Sequence, residues 1–202
     1  MNLDAIIETL KKNRYSVRYF DSASEAAEYL NRILDHRVIG FGDSETMCRM
    51  GLYEKLSAHK TVYDPKQSKD NDEFLEIAKK CLTTEIYLTS VNAMAETGDL
   101  VNIDGTGNRI AGSLFGHEKV YFIVGTNKIE PTLEKAIWRA RNIAAPKNAK
   151  RYELHTPCAI KGDRCYDCSS PDRICNALTV YWKKMNDIED VEIILIDEEL
   201  GF

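Results

Sequence analysis

Four of the six cysteines in this 202-residue chain fall in one short stretch, HTPCAIKGDRCYDCSSPDRICN, with the spacing Cys158-x6-Cys165-x2-Cys168-x6-Cys175. Thiolates are soft ligands, and four of them converge on one centre if the loop folds back on itself, for which Pro157, Gly162 and Pro171 supply turns. Cys165 and Cys168 form one CxxC pair, whereas structural zinc usually draws on two such knuckles. The spacing therefore favours a four-iron four-sulfur (4Fe-4S) cluster, with zinc as the alternative. A redox dithiol at Cys165 and Cys168, the other two being incidental, is a third reading. Cys175 is expected in the first turn of a last helix, running from about Pro171 to Met185, whose N-terminal dipole lowers a thiol pKa. Cys48 and Cys81 read as buried packing on helix faces. His155 stands three residues before Cys158 and reads as a substitute ligand or as a surface residue. For His117 the sequence offers no partner.

Three glycine-bearing turns carry the other candidate chemistry. In VIGFGDSET, Gly40 and Gly42 precede Asp43, Ser44 and Thr46 at a strand-to-helix junction, where free N–H groups and the helix dipole suit phosphate or carboxylate. A tight turn capped by Ser44 explains the same residues, and the run is neither a Walker loop nor GxGxxG. In AETGDLVNIDGTGNRIAG, Gly98, Gly105, Gly107 and Gly112 accompany Glu96, Thr97, Asp99, Asp104, Asn108 and Arg109. Its carboxylates offer a nucleophile or base and Arg109 a bidentate grip on an anion, although a solvated surface loop would use the same composition. In GTNKI, Asn127 and Lys128 either reach the same ligand or simply end a strand.

These turns need elements to position them. A first amphipathic helix, a strand at Ser16–Phe20, and a helix capped by Ser22 open the chain. Arg37 to Phe41 reads as a buried strand entering the first glycine turn, with a helix from about Ser44. A short strand at Thr61–Tyr63 and a helix whose apolar face holds Phe74, Leu75, Ala78, Cys81 and Leu82 follow. Glu85 to Ser90, Leu100 to Asp104 and Lys119 to Val124 read as strands, the last a continuous apolar run suited to a strand covered on both faces. Pro131 is expected at the first position of a helix using Leu133, Ala136, Ile137 and Ala140. Val191 to Ile196 is a final strand, and Ala145 to Ser170 shows no periodicity. Strands alternating with helices predict an α/β fold, a mainly parallel sheet with helices on both faces, and ligands beyond the carboxyl ends of its strands.

Length and composition fit one domain, 1–202, with an elaborated cysteine-rich loop at about 155–176. Mixed charges and a net charge of −5 exclude a basic surface for nucleic acid or an anionic membrane. The N-terminal stretch lacks the features of a signal peptide, and no apolar run reaches the roughly 20 residues of a membrane span. A cytoplasmic location is expected, where clustered cysteines serve metal or redox chemistry. A homodimer is the default assembly.

Taken together and in order, VIGFGDSET, ETGDLVNIDGTGNRIAG, VYFIVGTNKI, RARNIAAPKNAKR and TPCAIKGDRCYDCSSPDRICN resemble the lactate-utilisation (LUD) domain, also called DUF162, from about residue 10 to residue 198. The resemblance implies the fold shared by ribose-5-phosphate isomerase, glucosamine-6-phosphate deaminase and CoA transferases. It also implies a link to bacterial lactate oxidation beside iron–sulfur subunits, though the simplest members lack the cysteine block. By similarity to the fold's enzymes, VIGFGDSET takes the place of a phosphate-binding turn, Glu96 resembles the CoA-transferase nucleophile, and Asp104 with Gly105 resembles the isomerase Asp-Gly pair. Three functions follow as expectations. The first is a protein of lactate or organic-acid utilisation that binds a small anionic metabolite and an iron–sulfur cluster, working with other redox subunits. The second is an acyl-CoA transferase using Glu96 or a sugar-phosphate isomerase using Asp104 and Lys128. The third is a binding or assembly subunit stapled by zinc.

Overall fold

A computed structural model describes residues 1–202. The strands are β1 (Ser16–Phe20), β2 (Val38–Phe41), β3 (Thr61–Tyr63), β4 (Ile86–Thr89), β5 (Ala93–Ala95), β6 (Leu100–Asp104), β7 (Lys119–Gly125), β8 (Ile129–Glu130), β9 (Ala177–Tyr181) and β10 (Asp190–Ile196). The helices are α1 (Leu3–Lys12), α2 (Ala23–Ile33), α3 (Glu45–Arg49), α4 (Leu52–Ser57), α5 (Asn71–Cys81), α6 (Asn108–Leu114), α7 (Leu133–Arg139), α8 (Ala145–Arg151) and α9 (Pro157–Lys161).

Six strands form one sheet in the order β1-β10-β7-β4-β2-β3, with every neighbouring pair parallel. This is the doubly covered sheet that the alternating periods predict. The apolar run of β7 shows why: Tyr121 and Ile123 enter a core with α2 and α4, while Val120, Phe122 and Val124 enter a second core with Ile6 and Leu10 of α1. Alternate residues of β10 divide the same way, Ile194 and Ile196 against Ile193 and Leu195. A strand buried on both faces cannot show polar alternation.

A second sheet, in the order β8-β5-β6-β9, has β6 antiparallel to both its neighbours and β5 parallel to β8. It packs its small residues Ala93 and Ala95, with Val101 and Ile103, against Ala136 and Ala140 of the helical stretch 133–151. The sequence pattern places β6 in the main sheet and does not show β5 and β8, because strands of two or three residues are too short to show a period.

The expected helix from Pro171 to Met185 is corrected: Ala177–Tyr181 is the strand β9, paired antiparallel with β6 from Ala177↔Asp104 to Tyr181↔Leu100. The β-branched and aromatic residues Thr179, Val180 and Tyr181 suit a pleated edge, and the partner strand outweighs the helical pattern. Cys175 therefore precedes a strand, not a helix. Residues 145–170 are not without structure, since a π turn at Ala140–Ala144 joins α7 to α8 and α9 follows. The π turn precedes Pro146, whose ring nitrogen has no hydrogen to donate. Pro131 lies outside the helix because Thr132 is the cap, its side chain accepting from the Lys135 N–H at 3.3 Å.

Ser22 and Ser44 cap α2 and α3 as expected, accepting from the Glu25 and Met47 N–H groups. Cys81 is buried, but Cys48 is exposed and is not core. His117 does have a partner: its ring donates through Nδ1 to the Thr84 carbonyl at 2.6 Å and stacks on Tyr87. No helix is long and apolar enough to cross a membrane.

Candidate functional site

The carboxyl ends of β2, β3, β4 and β7 open on one cavity of about 610 Å³, the place where parallel sheets of this kind receive ligands. Asp43, Ser44 and Thr46 follow β2, Lys66 follows β3, Ser90 and Asn92 follow β4, and Lys128 follows β7, all in its lining. Asp104, Gly105, Asn108 and Arg109 join from the end of β6 and the start of α6. The three motifs thus share one cavity, and the stretch near α8 adds Arg151 and Tyr152.

Lys128 is the most unusual of these groups. Its side chain is 3% exposed, and Nζ donates to the Thr46 hydroxyl at 2.7 Å, the Ser90 hydroxyl at 3.0 Å and the Val91 carbonyl at 3.0 Å. None of these partners carries a charge. Burial pushes the amine down to about 7, and the nearby guanidinium groups of Arg139, Arg109 and Arg49 push the same way. Arg139, also buried, is a hub: its Nη1 donates to the Asn92 carbonyl at 2.7 Å and the main-chain oxygen of Phe202 at 3.1 Å, and its Nε donates to the Asn127 carbonyl at 3.2 Å.

Other charges line the walls. Arg109 donates to the Ile103 carbonyl and faces Asp104 at 3.8 Å, while Asp104 accepts from the Ile110 N–H at 3.2 Å. Asp43 has left-handed backbone at φ 44° and faces Lys66 at 3.7 Å, while Glu45 pairs with Lys66 at 3.1 Å and Arg151 at 3.7 Å. The lining holds four basic side chains (Lys66, Arg109, Lys128, Arg151) beside the acidic side chains of Asp43, Glu45 and Asp104. That balance suits a small anion.

Several expected ligand residues lie outside this lining. Gly40 and Gly42 serve packing, since a methyl group on Gly40 would stand 2.8 Å from the Cys81 carbonyl and one on Gly42 would stand 2.6 Å from the Thr89 hydroxyl. Glu96, Thr97 and Gly98 form the turn between β5 and β6, and Gly98 packs against Thr9, Leu10 and Asn13 near the end of α1. Glu96 is half-buried with its N–H bonded to the Glu130 carbonyl at 2.8 Å, and it does not line the cavity. Gly107 takes φ +90° at the start of α6, a backbone role that L side chains rarely fill. The Asn127 side chain accepts from the Leu200 N–H at 3.2 Å, holding residues 200–202 beside Lys128.

Sequence reasoning missed Lys66, Ser90, Asn92, Arg151 and Phe202 as lining residues. The signal for Ser90 and Asn92 was present, since they directly follow a strand read as central. Arg151 and Phe202 carried no comparable signal, because each reaches the cavity only through tertiary packing.

The cysteine loop forms part of the same neighbourhood. Residues 162–176 carry no helix or strand, yet Ile174 lines the cavity and its backbone closes over Gly105, where a methyl group would stand 2.8 Å from the Ile174 carbonyl. Asn176 ties the loop down, its N–H donating to the Asp104 carbonyl at 3.0 Å and its side chain to the Gly105 carbonyl at 3.2 Å. Arg173 braces the interior by donating to the Cys168 carbonyl at 2.6 Å and the Cys175 carbonyl at 3.1 Å. The four thiols share one neighbourhood: burial pushes the Cys175 thiol up, Arg173 pulls it down, and charge on Cys165, Cys168 and Cys158 pushes it up again. No three thiol, imidazole or carboxylate groups stand around one point as a closed ligand shell. Donors are nevertheless aimed at sulfur, the Asp167 N–H at 3.3 Å and the Arg141 guanidinium at 4.0 Å from Cys165 Sγ. Four half-buried thiols in one loop are the type of donor a soft metal centre uses, although they do not stand here as one ligand set. His155 is exposed and pairs with Asp172 at 3.2 Å.

The sequence matches the LUD domain over residues 3–196. The chain belongs to the LUD-domain family. Its fold is similar to the crystal structure of a DUF162 family protein from Deinococcus radiodurans, with a TM-score of 0.52 and 12% identity over 96% of this chain and 95% of that one. At that identity the likeness concerns the fold alone. None of the curated proteins compared with this LUD-domain chain matches it.

Proposed function

We propose that this LUD-domain protein acts in organic-acid metabolism, binding a small carboxylate in the cavity beside a metal centre held by Cys158, Cys165, Cys168 and Cys175. The observation that carries the reading is the shared wall: Ile174, one residue from Cys175, lines a cavity whose other walls carry Lys66, Arg109, Lys128 and Arg151. A 4Fe-4S cluster there would supply electron transfer or Lewis-acid chemistry at the edge of the anion site, in exchange with a separate redox subunit. The family's association with lactate utilisation supports a hydroxy or oxo acid as the anion. This chain's own residues do the rest: Arg109 and Arg151 pair with the carboxylate, Ser90 and Asn92 offer hydrogen bonds, and Ile174 with Phe202 limits the entry of water.

Transfer of an acyl group through Glu96 is less well supported, because a covalent carboxylate must face the ligand and Glu96 lies off the cavity. A loop stapled by zinc remains the competing account of the thiols. Calorimetric titration of the protein with lactate and pyruvate tests the cavity. Binding by the wild type, weakened about tenfold or more in Arg109→Ala by loss of a charge-assisted contact, is the expected result. Equal affinity in the variant would move the anion elsewhere.

A further inference from the structure

Lys128 is more than one cation among the cavity walls. An ammonium ion meant only to attract carboxylates is best left paired and hydrated, whereas this amine lies beneath the surface with two hydroxyls and a carbonyl as its only hydrogen-bond partners. The charged groups bearing on it are Arg139, Arg109 and Arg49, all of its own sign. Lys128 forms no salt bridge: Asp104 faces Arg109 at 3.8 Å, Glu130 faces Arg139 at 3.8 Å, and the main-chain oxygen of Phe202 accepts from Arg139 at 3.1 Å. An amine in such surroundings spends much of its time uncharged at neutral pH, carrying the lone pair that a nucleophile needs. The Thr46 and Ser90 hydroxyls lie 3.2 Å apart and both touch Nζ, so they can donate to the lone pair or accept from the N–H and carry protons between.

The geometry points to Lys128 as a nucleophile that condenses with the ketone of a 2-oxo acid held in this cavity, forming a protonated imine. The assignment rests on the reading of the cavity as an organic-anion site and adds the class of anion, an acid with a carbonyl next to its carboxylate. The nitrogen lone pair makes the new C–N bond, and the carbonyl π pair moves to oxygen. One N–H proton passes through the Ser90 and Thr46 hydroxyls to that oxygen, giving a carbinolamine. A second proton, from solvent, lets the oxygen leave as water, and the nitrogen keeps one hydrogen and the positive charge. No oxidant or reductant enters the step. The carboxylate of the acid would pair with Arg109, which lines the same cavity, and its charge would offset that of the iminium.

Residues 200–202 complete the environment. Gly201 has φ +70°, and a methyl group there would stand 3.1 Å from Lys128 Nζ. The Leu200 carbonyl accepts from the Thr46 hydroxyl at 3.4 Å. The backbone of this segment thus packs against the amine, and Phe202 lines the same cavity as Lys128.

Sodium borohydride trapping of the full chain with pyruvate at pH 8, followed by peptide mass mapping, tests this directly, and thermal unfolding with the same acids reports binding independently. An amine titrating near 7 is mostly free base at pH 8 while surface lysines are almost wholly ionised, so labelling of Lys128 exceeds that of any other lysine on the order of tenfold or more. Lactate, which has no carbonyl, leaves no adduct, and Lys128→Met loses it. If pyruvate raises the unfolding midpoint but no reduced adduct forms on Lys128, the inference fails while the anion-site reading stands. If pyruvate neither shifts the midpoint nor labels Lys128, both fail. Labelling confined to surface lysines also overturns the inference.

Discussion

Lys128 Nζ lies 2.7 Å from the Thr46 hydroxyl, a contact that joins the segment after β7 to the first turn of α3. The two residues are 82 positions apart in sequence, and the contact brings two of the three glycine-bearing motifs together at the cavity floor. Burial, with the guanidinium groups of Arg139, Arg109 and Arg49 acting the same way, makes the proton of this amine the most responsive in the site.

The stability of the protein should therefore carry a signature of Lys128 in the alkaline range. The amine is lowered from 10.5 to about 7 in the fold, so between those values the unfolded chain binds more protons and stability rises with pH. Below about 7 both states are charged and the cost of burying the charge is present in full. Removing the amine in Lys128→Met should thus stabilise most, relative to wild type, below pH 7, and the difference should shrink as pH rises through 8 and 9. Thermal unfolding of the pair from pH 6 to pH 9.5 checks it. A difference independent of pH would mean that the amine titrates normally.

Gly42→Ala should cost about 1–3 kcal/mol, the range for overpacking a filled core. The added methyl would stand 2.6 Å from the Thr89 hydroxyl and 2.8 Å from the Tyr87 hydroxyl, both on β4. Denaturant titration of the variant reads the loss, and an unchanged midpoint would return Gly42 to the role of an open ligand turn.

Gly42 also shows how far the sequence was legible. The glycine was visible and so was the strand-to-helix junction, but a glycine needed for an anion and one needed to let β4 approach look alike in one dimension. The parallel sheet could be read because β7 and β10 are continuous apolar runs between helices with clear caps such as Ser22. The second sheet could not, since Ala93–Ala95 and Ile129–Glu130 are shorter than one period of any pattern. Ala177–Tyr181 misled because its character as a strand depends on β6, seventy-odd residues away. For the site, Asp43, Ser44, Asp104, Gly105, Asn108, Arg109 and Lys128 follow from the rule that ligands sit beyond strand ends. Glu96 was drawn from similarity to a fold's enzymes, and similarity of scaffold does not carry a site with it.

Arg173 should matter to the cysteine loop although it is no ligand. It donates to the carbonyls of Cys168 and Cys175 and pairs with Asp167 at 3.2 Å, fixing the backbone between thiols. Arg173→Ala should weaken metal retention by roughly 10–100-fold, the usual effect of removing an outer support. Competition against a chelator, followed by absorbance, measures it. Retention equal to wild type would show that the loop orders its cysteines without that brace.

The most direct measurement is metal and sulfide analysis, with a visible spectrum, of protein purified without oxygen, beside Cys165→Ser. A 4Fe-4S centre predicts about four irons and as many sulfides per chain, broad absorbance near 400 nm, and loss of both in the variant. One zinc per chain, or neither metal in protein that is folded, would contradict a redox or Lewis-acid centre at the edge of the anion cavity.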